Sequence, residues 1–99
     1  MANKIDEMLS QYKLDKEVSI LPLLDDFKDE EEIREYCWKV LRTYPDLKKE
    51  DWFIGMEGGD YIYSFDGNYI FMTDDIWSFN VIAKQAILDL LVEKMRALK

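Results

Sequence analysis

At Trp52 the apolar residues change their spacing. Upstream, Ile33, Tyr36, Cys37, Val40, Leu41 and Tyr44 recur every three or four positions, as on one face of a helix. From Trp52 to Thr73 they alternate, and "WFIGM", "YIYSF" and "YIFMT" read as three strands joined by "EGGD" and "FDG". A chain carrying both periods must lay helix on sheet, because neither element buries its apolar side alone.

The two connections set a register. "FDG" fits a three-residue hairpin with Gly67 in the left-handed position, and the first connection fits a two-residue loop centred on Gly58 and Gly59. Neighbouring strand residues point to opposite faces, so loop length sorts the side chains. Trp52, Ile54, Met56, Tyr61, Tyr63, Tyr69 and Phe71 are expected on one face. Phe53, Gly55, Ile62, Ser64, Asn68, Ile70 and Met72 are expected on the other. A loop one residue longer or shorter undoes this sorting.

Helices flank the strands. Ile5, Met8, Leu9 and Tyr12 give a short amphipathic helix within 3–13. "VSILPLL" (18–24) contains Pro22 and fits either a brief extended segment or a turn. Asp29 and Glu32 read as N-cap and capping-box partner of a second helix, with Glu30 and Glu31 at the positive end of its dipole. Pro45 ends it, since the residue before proline leaves helical angles. A last helix is expected from Ser78, as N-cap, to near the C-terminus. Phe79, Ile82, Ala83, Ala86, Ile87, Leu90 and Leu91 form its main stripe, and Val81, Leu88 and Val92 a second. Two stripes imply cover on two sides, by the chain itself or by a partner. Lys94, Arg96 and Lys99 suit its C-terminal end. The expected fold is one α+β domain over 1–99, in the order α-α-β-β-β-α with a three-stranded antiparallel sheet.

The composition excludes much chemistry. No histidine is present, which removes Ser-His and Cys-His nucleophiles and His-containing zinc sites. One cysteine builds neither a disulfide framework nor a thiolate zinc site, and Cys37 lies within an apolar stripe. The glycines lack a phosphate-loop context. From Asp25 or Asp26 the third position of a calcium loop would be Phe27 or Lys28, and neither frame has its glycine. No enzyme, metal or cofactor is expected. There is no long apolar run and no secretory pattern at "MANKIDEML", so the expected location is cytoplasmic. The α-β-β-β-α order is shared with double-stranded-RNA-binding domains, but their basic loop and helix start are replaced here by "DDIWS" (74–78).

The remaining signal is charge. Thirteen basic residues oppose twenty-one acids, a net charge of -8, which disfavours nucleic acid and anionic lipid as direct partners. "DDFKDEEEIREY" (25–36) holds seven acids, and residues 50–80 hold seven more with no Lys or Arg. Such segregation exceeds what solubility requires. Asp25, Asp26, Glu30, Glu31, Glu35, Glu57, Asp60, Asp66, Asp74 and Asp75 are the candidate partner-binding acids. Trp38, off its helix stripe and expected to be partly exposed, is the candidate aromatic anchor.

The first functional expectation is a small inhibitor that occupies the basic, nucleic-acid-binding site of a protein such as a nuclease. Phage anti-defence proteins that mimic DNA and toxin-immunity proteins work in this manner. The alternative is a structural or regulatory subunit that forms a homodimer or binds a partner through the last helix and the sheet face.

Overall fold

A computed structural model describes residues 3–99. Asn3 caps helix α1 (Lys4–Gln11), its side chain accepting from the Asp6 amide at 2.8 Å. "VSILPLL" adopts both forms open to it: a two-residue strand β1 (Val18–Ser19), then a 3₁₀ turn (Leu21–Leu24) with Pro22 near its start, where its missing N–H costs nothing.

Helix α2 (Glu30–Leu41) begins at the expected cap, with Asp29 Oδ1 accepting from the Glu32 amide at 2.9 Å. The return bond differs from a standard capping box. Glu32 Oε2 accepts from the amide of Lys28, one residue before the cap, at 2.9 Å. The helix also ends at Leu41, earlier than Pro45 alone would dictate, where Thr43 Oγ1 donates back to the Val40 carbonyl.

The sheet corrects the expected three strands to five. Strands β2 (Lys48–Gly55), β3 (Gly58–Phe65), β4 (Asn68–Asp75) and β5 (Phe79–Ala83) form an antiparallel meander, and β1 adds beyond β5, giving the order β1-β5-β4-β3-β2. The start of the expected last helix is strand β5. Phe79, Ile82, Ala83, Ala86 and Ile87 fit a helix stripe, but Phe79, Val81 and Ala83 also alternate, and those three are fully buried in the strand. Pairing with β4 and β1 on both sides settles the competition. Ser78 therefore lies in a turn, and α3 runs from Gln85 to Leu98. Leu88, Leu91, Val92 and Met95 form its buried stripe, so Leu88 and Val92 of the expected second stripe face the core. Of the expected main stripe's residues within α3 only Leu91 is buried: Ala86 is exposed, and Ile87 and Leu90 are half-buried.

Both hairpin loops also differ from expectation. The β2–β3 turn is Met56–Glu57, closed by the Gly55–Gly58 pair and not centred on Gly58 and Gly59. That moves the register by an even number of residues, so Trp52 and Ile54 still share a face with Tyr61 and Tyr63. The β3–β4 turn is only Asp66–Gly67, both at positive φ (51° and 77°), a two-residue primed turn closed by Phe65 and Asn68. This odd shift turns β4 over. Ile70 and Met72 join Tyr61 and Tyr63, while Tyr69 and Phe71 lie with Ile62 and Ser64.

The two faces carry two cores. Ile70, Met72, Phe79, Val81 and Ala83 pack beneath Ile33, Cys37, Val40 and Leu41 of α2 and the α3 stripe. Each fully buried Ile, Leu, Val, Met or Phe side chain among them contributes about 1.5–3 kcal/mol. On the reverse face α1 covers Ile62 and Phe71 with Met8, and Leu14 closes the same cluster. Helices α2 and α3 lie over the β5 side of the sheet. At the opposite edge Trp52, Phe53 and Ile54 of β2 remain half exposed. Among the described residues no helix is long and apolar enough to cross a membrane.

Candidate protein-binding site

One end of the sheet holds two turns side by side. Met56–Glu57 joins β2 to β3, and Ile76–Ser78 joins β4 to β5. They are bonded to each other. The Ile76 amide donates to the Glu57 carbonyl at 2.9 Å, and Trp77 Nε1 donates to Glu57 Oε2 at 2.8 Å. Asp75 fixes the second turn from within, its Oδ1 accepting from the Trp77 amide at 2.8 Å and the Ser78 amide at 2.7 Å. These two amides, followed by the Ser78 hydroxyl and the Arg34 charge, hold the Asp75 carboxyl below its ordinary range.

The tip so built is braced by these bonds and apolar at its crown. Met56 is fully exposed, Ile76 is 69% exposed and Trp77 73%. Large side chains left in water on braced turns are unusual in a free-standing domain and are the common anchors of interfaces.

Carboxylates surround this crown. Glu31 of α2, Glu57, Asp74 and Asp75 line a shallow hollow with Arg34 and Ile76. Asp60 borders the tip from the reverse face, beside Phe53, Glu57 and Asp75. Arg34 is the basic residue lining the hollow, and its charge is committed: Nε donates to Asp74 Oδ1 at 2.7 Å, and a terminal nitrogen donates to the Asp75 and Ser78 carbonyls.

The expected binding residues thus separate into groups. Glu31, Glu57, Asp60, Asp74 and Asp75 are brought together. Glu30 stands next to them, one oxygen accepting from the Phe79 amide at 3.0 Å. Of the grouped acids Asp74 is the most committed, with both oxygens bonded, to Arg34 and to Trp38. Trp38 is half-buried, as its position off the stripe implies, and its indole donates to Asp74 Oδ2 at 3.1 Å and meets Tyr63 edge-on. It braces the site from behind. Glu35 lies farther along α2 and pairs with Lys39 at 3.4 Å.

Three acids lie elsewhere. Asp25 and Asp26 are exposed after the 3₁₀ turn, and Asp26 is held by a forked contact from Arg96 at 2.8 and 3.2 Å. That bond lowers the Asp26 carboxyl and raises the guanidinium. Asp66 sits in the β3–β4 turn, at the opposite end of the strands. No group of three or more acids or thiols placed to hold a metal occurs among the described residues. Cys37 is fully buried, and desolvation, with Asp74 adding, pushes its thiol up to about 12.

The sequence pointed to the acids and passed over Met56, Ile76 and Trp77. The available signal was "DDIWS" itself: an apolar pair inside a tight acidic connection has nowhere to be buried once the flanking segments are strands. No protein-family model, curated protein or solved structure matches the chain.

Proposed function

We propose that this domain is a small protein-binding inhibitor whose tip occupies a basic site on another protein. The observation that carries this reading is the exposed Met56–Ile76–Trp77 crown, ringed by Glu31, Glu57, Asp60, Asp74 and Asp75. Trp77 is the anchor that enters an apolar recess in the partner. The ring of carboxylates pairs with Lys and Arg around that recess, standing where nucleic-acid phosphates would otherwise lie. Because each turn braces the other, little ordering cost is incurred on binding.

A nuclease or other nucleic-acid-handling protein has the complementary surface, which fits a phage anti-defence protein or a toxin-immunity protein. The net charge of -8 speeds encounter with such a partner and opposes direct contact with nucleic acid.

The test is capture from a lysate of the natural host or competitor, washed at about 0.1 M and then about 0.5 M salt, with the retained proteins identified by mass spectrometry. The expected result is a basic nucleic-acid-handling protein released at the higher salt and lost from the Trp77→Ala and Glu31→Lys variants. Retention of the same proteins by both variants would overturn the assignment of the tip.

A further inference from the structure

The edge strand β2 presents a second surface, which adjoins the tip where Phe53 lies beside Glu57 and Asp60. It is eight residues long, pairs with β3 on one side only, and exposes Trp52 (49%), Phe53 (50%) and Ile54 (55%) in an unbroken run. Folded proteins normally blunt such an edge with lysine, proline or a covering element. Here the blunting is confined to the other half of the strand, where Lys48, Lys49 and an irregularity in the register at Glu50 lie. On the face of Trp52 and Ile54 the apolar half is open, because α2 and α3 lie over the β5 side. On the Phe53 face α1 meets β2 where Lys4 pairs with Asp51, and Phe53 stays half exposed.

We propose that β2 pairs antiparallel with β2 of a second copy across a two-fold axis at Phe53, making one continuous ten-stranded sheet. Strand chemistry selects this register. Gly55 and Gly58 close a two-residue hairpin, so Gly55, Phe53 and Asp51 hydrogen-bond toward β3, while Trp52 and Ile54 point their amides and carbonyls outward. The Asp51 carboxylate accepts from the Trp52 amide at 2.8 Å, which accords with an outward amide lacking a strand partner.

Outward residues must meet outward residues. Centring on Phe53 sets Trp52 against Ile54 of the second copy on the helix-bearing face, and the two Phe53 rings together on the reverse face. Centring on Trp52 would instead set Asp51 against Phe53, and centring on Ile54 would set Asp51 against Glu57.

Charge favours a second copy as the occupant. The strand carries Lys48 and Lys49 against Glu50 and Asp51, so it is locally neutral in an acidic protein. The Phe53-centred register also lays the lysine end of each strand beside the other copy's turn bearing Glu57. The exposed surface of these three apolar residues, backbone included, is on the order of 300 Å² per copy. The contact therefore falls short of the roughly 1,000 Å² of a stable interface and belongs with the weak, transient ones. A reversible dimer is the expected state.

Sedimentation across a concentration series tests this, with wild type, Phe53→Lys and Val18→Lys compared. The expected result is a monomer–dimer equilibrium that Phe53→Lys weakens at least about tenfold and Val18→Lys, on the opposite edge, leaves unchanged. In parallel, Phe53→Cys should oxidise to a disulfide-linked dimer, since directly opposed residues of this pair type lie about 4.5 Å apart at Cα. Val18→Cys, on the opposite edge, should not. A monomer at all concentrations, or a dimer indifferent to Phe53→Lys, would overturn the proposal.

Discussion

Arg34 Nε donates to Asp74 Oδ1 at 2.7 Å, tying the first half of α2 to the end of β4 immediately before the apolar tip. Both side chains are about one-quarter exposed, and the same guanidinium reaches the Asp75 and Ser78 carbonyls. Arg34 is therefore the residue that holds the β4–β5 turn against the helix layer.

Replacing Arg34 with Ala should destabilise the domain by about 2 kcal/mol, the scale of losing hydrogen bonds to a charged group at a partly buried site. Arg34→Lys should recover only part of this, because an ammonium cannot reproduce the forked contact to one carboxylate and two carbonyls. Denaturant unfolding of the three proteins measures the ranking. Full recovery by lysine would mean that charge alone matters there.

Local rules made α2 legible: Asp29, the stripe through Ile33, Cys37, Val40 and Leu41, and the half-buried position of Trp38 all follow from residues within one turn of each other. Strand β5 was not legible, because five residues are too few to separate a period of two from one of 3.6, and its neighbours β1 and β4 lie far away in sequence. The face assignment of β4 hung on whether Asp66 adopts positive φ beside Gly67, a choice any Asp-Gly pair can make. The acids of the site could be read from composition. Their assembly could not, since it depends on β2–β3 and β4–β5 turning at the same end of the sheet.

Trp77→Ala should cost no more than about 1 kcal/mol, because the side chain is mostly in water, its removal opens no cavity and the bond it gives Glu57 is exposed. Partner retention should nevertheless fall sharply. The contrast between a little-changed denaturation midpoint and lost capture separates an anchor from a structural residue. In a Trp52→Phe, Trp77→Phe double variant, the remaining half-buried Trp38 should be quenched by acrylamide more weakly than Trp77 is in a protein retaining only that tryptophan.

Acid should loosen the tip in a defined direction. The Asp75 carboxyl is held below its ordinary 3.8 by amide hydrogen bonds, so its contribution is fully present above that value and is lost as pH falls through the lower, folded one. Asp26, bonded by Arg96, and Glu32, bonded by the Lys28 amide and Lys99, shift the same way. Melting temperature should therefore drop below about pH 4. Asp75→Asn should melt lower than wild type at neutral pH and converge with it in acid. A constant difference across the range would show that the carboxylate charge is not what the turn uses.

Cys37 should be silent toward thiol reagents in the folded protein. It is fully buried, and its thiol is raised to about 12, so neither access nor thiolate is available at neutral pH. Labelling with a chromogenic disulfide should proceed only as fast as the domain opens, accelerating with denaturant in step with unfolding. Rapid labelling without denaturant would require local opening between α2 and the sheet.

The sharpest mutational contrast lies between two glycines. Gly67 has φ +77° with nothing within 4 Å of an added Cβ, so Gly67→Ala should cost only the left-handed backbone penalty, about 1–2 kcal/mol. Gly58 has φ +136°, and a Cβ there would stand 2.4 Å from the Asp75 Cα, where both atoms belong to paired strands and neither can swing aside. Gly58→Ala should cost about 3 kcal/mol, combining backbone strain with overpacking. The damage should centre on the tip, since relief requires β3 to move from the end of β4 and so to break the bond between Ile76 and Glu57. Denaturant unfolding gives the ranking, and amide exchange at Ile76 and Trp77 gives the location. Equal costs at the two glycines, with protection at Ile76 preserved, would mean that the turns are not braced against each other.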